Sequence, residues 1–335
     1  MKKILLVVIG LVLVAGVSYW VIRQVDYSEK KVSAPLQEVN LRLKWMHQAQ
    51  FAGNYVAIEK GFYGNEGLKV NVTPIDFNES TIDTIIAGKA DFGVSSADEI
   101  ILAREKGIPV KAFAVIYKIN PITAYALKKS GITKPQDFVG KTVGIEKAVN
   151  VEYLYAAMMS KLGIDRSKVK EVAIGYDASE LLLGKTDVST GYIINEPHQA
   201  MEAGQEITTI LMADYGVNMY ADVLFTTEKT IEKKPDLVLS FLKATLRGWQ
   251  YAFEHEAEAV DIIVKYATKS TKTHEAYMLH TSAPLIHTGS SALGAMDANE
   301  WERAQTILVE QKLLTKPIVI TSAYTTQFLD FIYKK

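Results

Sequence analysis

From residue 36 onward the chain alternates short apolar runs with amphipathic stretches that close on glycine, and this rhythm is its main structural signal. Residues 39–43, 68–72, 91–94 and 110–117 read as strands, and 52–62 as a helix closed by Gly61 and Gly64. Ser80 with Asp83, and Ser96 with Glu99, have capping-box spacing and open helices that end at Gly88 and Gly107. The rhythm restarts after Lys134-Pro135, with strands at 142–145, 169–174, 186–188 and 207–211 and a helix capped by Asn150 that ends at Gly163. Strands alternating with helices predict an α/β protein with mostly parallel sheets. Gly88-Lys89-Ala90-Asp91-Phe92-Gly93 echoes Gly184-Lys185-Thr186-Asp187-Val188-Ser189, as two lobes built alike would. After Phe225 the pattern turns helical: Pro235 opens a helix whose stripe is Leu237, Phe241, Leu242, Trp249 and Phe253, read as core. Asp297 with Glu300 marks another helix start, and 325–332 a last short helix.

The N-terminus departs from this pattern. Met1-Lys2-Lys3 precedes nineteen uncharged residues, 4–22, a run that as a helix spans roughly 28 Å, close to the hydrocarbon core of a bilayer. Tyr19 and Trp20 suit an aromatic interface belt, and the small-residue site Val14-Ala15-Gly16 is a weak cleavage signal. An uncleaved anchor is favoured over a cleaved signal peptide, with a polar linker to residue 35. Either reading puts the rest at the periplasmic or extracellular face of the cytoplasmic membrane.

Composition narrows the function classes. With 37 basic and 38 acidic residues the net charge is -1, so no global field recruits nucleic acid or an anionic membrane. The absence of cysteine excludes disulfides, thiolate metal sites, cysteine nucleophiles and a lipid-modified N-terminal cysteine. No Gly-x-Gly-x-x-Gly, phosphate-binding loop or Gly-x-Ser-x-Gly occurs. The six histidines, His47, His198, His255, His274, His280 and His287, contain no His-x-x-x-His pair, and Pro284 separates the last two. Each reads as a packed or surface histidine. Asp98 and Glu99 read as helix-cap chemistry. No catalytic residue, metal site or cofactor is expected, and a monomer that binds a small molecule is.

Candidate binding residues fall where strands end and helices begin, the place where parallel sheets hold ligands. Trp45, Gln48, Gln50, Phe51 and Tyr55 straddle the first such turn. Ser95 and Ser96 occupy the turn after the third strand, and Tyr117 follows the fourth. Asn150, Tyr192, Asn195 and Glu196 hold equivalent places in the second half, and Tyr215 and Tyr220 precede the return. Aromatic faces stack planar rings, while amides and a carboxylate read ring nitrogens and amines.

Leu41-Arg42-Leu43-Lys44-Trp45, Gln48-Ala49-Gln50-Phe51-Ala52-Gly53, Glu59-Lys60-Gly61-Phe62-Tyr63 and Glu66-Gly67-Leu68-Lys69-Val70 together resemble the opening of one family. It is the ABC-importer substrate-binding proteins for thiamin pyrimidine precursors, riboflavin, nitrate, taurine and alkanesulfonates. Gly88 to Gly93, Ser130-Gly131-Ile132, Gly140-Lys141 and Phe241-Leu242-Lys243-Ala244-Thr245 continue the likeness, over roughly 39–270. Asn195-Glu196 and Asp214-Tyr215-Gly216-Val217 are most similar to the thiamin-pyrimidine-precursor branch. The resemblance implies a two-lobe periplasmic-binding-protein fold of type II, with two crossings and C-terminal helices packed on lobe one. It implies a ligand between the lobes, lined by Trp45, Tyr192, Glu196 and Tyr215, and an ABC permease as partner. Lobe one is expected at 36–125 and 226–335 and lobe two at 126–225, with crossings near 124–128 and 222–226. One branch of the family makes the thiamin pyrimidine from a cofactor and its own histidine. That histidine's position falls on Phe51, and the branch's cysteine-rich motif is missing, so the resemblance does not extend to that activity.

Overall fold

The computed structural model describes residues 35–146, 149–289 and 291–334, and the apolar N-terminal run lies outside them. Among the described residues no helix is long and apolar enough to cross a membrane. The strands are β1 (Gln37–Arg42), β2 (Leu68–Thr73), β3 (Phe92–Ser95), β4 (Val110–Val115), β5 (Ile122–Leu127), β6 (Thr142–Glu146), β7 (Lys170–Ile174), β8 (Val188–Tyr192), β9 (Ile207–Leu211) and β10 (Val223–Thr227). They form two five-stranded sheets, β2-β1-β3-β10-β4 in lobe one and β7-β6-β8-β5-β9 in lobe two. Each sheet has a parallel trio: β1 between β2 and β3, and β6 between β7 and β8. Each also has one antiparallel strand in its fourth place, β10 and β5. That strand is the one that has just arrived from the other lobe.

This exchange corrects the expected crossings. The run 122–127 belongs wholly to the second sheet and 223–227 wholly to the first, so the chain passes between lobes at 116–121 and 216–222. Both strands are apolar enough to read as continuations of their neighbours, and an antiparallel insertion leaves no mark on a βαβ rhythm. The two crossings run side by side. Asn120 N donates to Asn218 Oδ1 (2.9 Å), Asn218 Nδ2 to the Lys118 carbonyl (3.0 Å), and Asn120 Nδ2 to the Met219 carbonyl (3.0 Å). Two buried or half-buried amides thus satisfy backbone groups that no sheet partner reaches.

The repeated glycine–aspartate segment is a structural repeat. Gly88 and Gly184 both adopt positive φ, +69° and +67°, as each turn enters its strand. The Asp91 carboxylate then accepts from Asn40 N (2.9 Å) while Asp91 N donates to the Asn40 carbonyl (2.9 Å). Asp187 does the same with Thr142, at 2.8 and 2.9 Å. In each lobe the aspartate fastens one parallel strand to its neighbour. The third strand of lobe two starts at Val188, later than the expected 186, because Asp187 is engaged in this fastening.

Other local readings need adjustment. The first helix, Ala52–Glu59, stops before Gly61, whose φ of +70° starts a separate turn at Phe62. Ser80 caps its helix as expected, accepting from Asp83 N (3.0 Å). Ser96 makes no cap bond, and Glu99 is hydrogen-bonded to Ser95 instead. Asn150 lies inside the first turn of helix Val149–Lys161 and does not cap it. Pro284 sits in the last turn of helix Lys272–Ile286.

The C-terminal helices pack on lobe one. Helix Pro235–Glu254 buries Leu237, Phe241, Leu242 and Trp249, and the Phe241 ring stacks on Phe92 of β3 at 4.2 Å. Its closest approach is to helix Ala52–Glu59. A Cβ on Gly248 would stand 2.0 Å from the Gly53 carbonyl oxygen, and one on Gly53 would stand 2.2 Å from the Trp249 ring. Replacing Gly248 by Ala is expected to destabilise the fold by about 3 kcal/mol, because the obstacle is backbone and cannot turn aside. Urea denaturation of the variant checks this, and an unchanged midpoint would mean the helices can separate freely.

Candidate functional site

The C-terminal ends of the parallel strands in both lobes face the crossings, and buried ionisable groups gather there. Lys44 follows β1. Its Nζ stands 3.3 Å from Asp222 on the second crossing and donates to the Ala221 carbonyl (2.9 Å). Asp222 also accepts from Gln50 Nε2 at 2.9 and 3.1 Å, and Gln50 Oε1 accepts from Gln48 Nε2 (2.6 Å). Burial works against the ammonium, yet Tyr192, Asp222, Glu99 and Asp98 around it raise the Lys44 pKa. Burial lifts Asp222 in turn, opposed by Lys44 and Gln50.

Asp98 opens helix Ala97–Glu105 of lobe one and is hydrogen-bonded to the Tyr153 hydroxyl on helix Val149–Lys161 of lobe two. Burial and then the neighbouring Glu99 charge raise its pKa. Asn150, on that same lobe-two helix, is hydrogen-bonded to the Tyr192 side chain.

A second group of acids sits in lobe two. Glu146 ends β6 and Glu196 begins helix Glu196–Glu202 just past β8. Both are buried, at 4% and 3% exposure. Glu196 Oε2 accepts from Tyr192 N (2.7 Å) and Oε1 from Asn195 Nδ2 (2.5 Å). Gly191 makes this seat, since a Cβ there would lie 2.6 Å from Glu196 Oε2. Burial pushes Glu196 up to about 7, against these hydrogen bonds. Burial, then the like charge of Glu196, pushes Glu146 up to about 9, and Glu146 Oε1 is buried with no hydrogen-bond partner.

Aromatic rings close the entrance. Trp45 meets Phe77 of lobe one edge to face at 5.8 Å and Tyr176 of lobe two at 5.0 Å. Phe77 and Tyr176 are 65% and 43% exposed, so their faces remain free to stack on a planar guest. A separate cavity of about 440 Å³ runs between the lobes, lined in part by Gln48, Asn195, Glu202, His274 and Glu275.

The structure therefore gathers Trp45, Gln48, Gln50, Ser95, Ser96, Asn150, Tyr192, Asn195 and Glu196 at the facing ends of the two sheets. Five of the expected residues are engaged elsewhere. Phe51 is in the lobe-one core. Tyr55 is buried there too, stacked on Tyr266 at 4.3 Å with its hydroxyl 3.0 Å from His47 Nδ1. Tyr117 turns its hydroxyl to Ser282 Oγ (2.7 Å). Tyr215 has Asp214 and Asp137 for charged neighbours, not the acids of the cleft. Tyr220 accepts from Asp297 N (2.9 Å) and packs on Trp301. Phe51, Tyr55, Tyr117 and Tyr220 lie near strand ends but are buried in the core, while Tyr215 is partly buried at its margin.

Sequence reasoning missed Lys44, Phe77, Asp98, Glu146, Tyr153, Tyr176 and Asp222. Glu146 ends an apolar strand, a position that could have marked it. Tyr153, Tyr176 and Phe77 carried no such signal, because their partners lie in the opposite lobe or in another loop.

The NMT1/THI5-like family model matches residues 48–259. The chain is 28% identical over 305 residues to the riboflavin-binding protein RibY of Chloroflexus aurantiacus, covering 88% of this chain and 86% of that one. It is 25% identical to the formylaminopyrimidine-binding protein of Halalkalibacterium halodurans, covering 87% and 90%. It is also 26% identical to a 4-amino-5-hydroxymethyl-2-methylpyrimidine phosphate synthase of Legionella pneumophila, covering 89% and 94%. Among solved structures, the periplasmic aliphatic sulphonate binding protein SsuA of Escherichia coli superposes with a TM-score of 0.70 at 13% identity, covering 85% and 91%. The fold is thus the two-lobe periplasmic-binding-protein fold.

The acid pair has a consequence for stability. Unfolded glutamates ionise near 4.5, whereas folded Glu196 and Glu146 hold their protons to about 7 and about 9. The folded state therefore binds more protons in that window. The pair's contribution is fully present below about pH 4.5 and is lost as pH rises through about 7 and then about 9. Denaturant midpoints of the ligand-free protein are expected to fall from about pH 5 to about pH 9, and Glu146→Gln to flatten the upper part of the decline. A Glu146→Gln profile parallel to the wild type would show that water reaches the pair.

Proposed function

The chain belongs to the NMT1/THI5-like family, and from that premise we propose that it is an extracytoplasmic substrate-binding protein of an ABC importer. It captures a small, planar, amine-bearing heterocycle of the aminopyrimidine type between its lobes and passes it unchanged to a membrane permease. The observation that carries this reading is the acid pair Glu146 and Glu196. It is buried, holds its protons unusually tightly and leaves Glu146 Oε1 without a donor. Such a pair calls for a guest that brings N–H donors or a positive charge; an aminopyrimidine brings N–H donors, and a charge when its ring nitrogen is protonated.

Electrostatics also separates the ligand classes. A sulfonate or nitrate requires cations or free backbone N–H groups at the cleft. The buried cation at the crossings, Lys44, already faces Asp222 and stands among Asp98, Glu99 and Tyr192, while Lys269 lines the interlobe cavity beside Glu202 and Glu275. An anion would have to displace that pairing in a surround that is acidic on balance. A flavin is the stronger alternative. The RibY relative binds riboflavin by name, and the Trp45, Phe77 and Tyr176 rings would suit a tricyclic system.

Binding without turnover fits the residues present. Phe51, where the resemblance places the synthase branch's histidine, is 1% exposed and sits in the core, and the chain has no cysteine. Contacts made across the lobes, Asp98 with Tyr153 and Trp45 with Tyr176, supply the closed state that a permease would read.

The test is to recover the small molecule retained by the purified protein by mass spectrometry, then to rank aminopyrimidines, flavins and alkanesulfonates by thermal shift. Aminopyrimidines are expected to raise Tm most and to be recovered unaltered. A larger shift with an alkanesulfonate, or a chemically changed product, overturns the reading, and a larger shift with a flavin selects the alternative. Trp45→Ala is expected to weaken binding by about 1–3 kcal/mol. Glu196→Gln should cost about 1.5–3 kcal/mol. Titration calorimetry measures both.

A further inference from the structure

Outside the acid pair, one cluster joins the lobes and takes no part in the reading above. Helix Glu196–Glu202 of lobe two carries His198 and Glu202 one turn apart on a shared face. Helix Lys272–Ile286 of lobe one brings His274 in its first turn. His198 Nδ1 lies 2.8 Å from His274 Nδ1, and Glu202 Oε2 lies 3.6 Å from His274 Nδ1 and 4.0 Å from His198 Nδ1. Both rings are buried and the carboxylate is half-exposed. Tetrahedral zinc, with bonds of about 2.0–2.2 Å, sets its donors about 3.3–3.5 Å apart. The three donor separations bracket that value, and the three donor atoms lie within 4.8 Å of one another.

The surrounding hydrogen bonds prepare the donors. Asn195 Nδ2 donates to Glu196 Oε1 (2.5 Å), which fixes the amide so that Oδ1 faces His274 Nε2 at 2.9 Å. Gln199 Nε2 donates to the same Oδ1 (3.2 Å). His274 therefore donates from Nε2, and its Nδ1 presents a lone pair to the cluster. His198 is held flat against Tyr277 at 4.0 Å, and Thr271 Oγ1 donates to Glu202 Oε1 (3.3 Å). The cavity of about 440 Å³, which Glu202 and His274 line, gives an ion a path in and room for a water as fourth ligand. Burial lowers the pKa of both histidines, keeping the imidazoles neutral.

We propose that His198, Glu202 and His274 form a binding site for a zinc-class divalent cation that fastens lobe two to lobe one in the closed state. Two imidazoles and one carboxylate select borderline transition ions over magnesium or calcium, which prefer all-oxygen sites. On entry the ion takes the place of the proton shared between the two Nδ1 atoms; His198 gives up its Nδ1 proton and takes one at Nε2, so both ligands bind as neutral imidazoles and no net proton is released. Because Asn195 orients His274 and also bonds Glu196, occupancy of the cation site and closure over the neighbouring carboxylate act in the same direction.

The experiment is competition for Zn²⁺ between the purified full chain and a chromogenic chelator at neutral pH, repeated with Mg²⁺ and Ca²⁺. One zinc per chain is expected, with magnesium and calcium failing to compete. Glu202→Gln, His198→Gln and His274→Gln should each weaken zinc binding about tenfold or more. Glu202 is half-exposed, so Glu202→Gln keeps the test informative if a histidine variant fails to fold. Co²⁺ in the wild-type chain should give the intense visible bands of a four-coordinate ion, lost in Glu202→Gln. Wild-type zinc binding no tighter than that of the Glu202→Gln variant, or equal competition by magnesium, overturns the proposal.

Discussion

Taking carboxylates out of water without giving each a cation is the constraint around which this cleft is organised. Asp98, Glu99 and Asp222 surround one buried ammonium, Lys44, while Glu146 and Glu196 share a second site in lobe two. Such an arrangement is costly when empty. The protein meets the cost partly with amides and backbone donors, as Gln50 does for Asp222 and Tyr192 N for Glu196, and partly by letting acids keep their protons. Among the buried oxygens left without a donor, Glu146 Oε1 is the one that, under the proposed function, a nitrogen-bearing guest would complete.

The scaffold makes this concentration of charge tolerable by building each lobe the same way. In both sheets an aspartate after a positive-φ glycine fastens a parallel strand to its neighbour, and in both the fourth strand is antiparallel and arrives from the opposite lobe. The strand exchange places the crossings directly under the cleft, where Asn120 and Asn218 tie them together. Lys44 and Asp222 bond across the end of β1 and the second crossing, within reach of Tyr192 from lobe two. Under the proposed function, a hinge and a binding surface would be made from the same few residues, and opening the lobes would return charged groups to water.

The sequence alone determined the α/β class, the doubled architecture and the helical C-terminus, and it pointed to the strand ends as the address of a candidate site. These follow from local periodicity, from glycines that demand positive φ, and from the rule that parallel sheets bind at their carboxyl ends. Trp45, Tyr192, Asn195 and Glu196 were legible because they sit at such ends in chain order. Only the tertiary structure decided which aromatics face the cleft and which, like Tyr55 and Tyr117, fill the core behind it. It alone placed the crossings, since an antiparallel strand inserted from the other lobe is locally indistinguishable from a continuation. It alone joined Asp98 to Tyr153 and His198 to His274, residues 55 and 76 positions apart. Those pairings depend on how two lobes meet, and no spacing along one chain encodes the distance between surfaces on separate lobes.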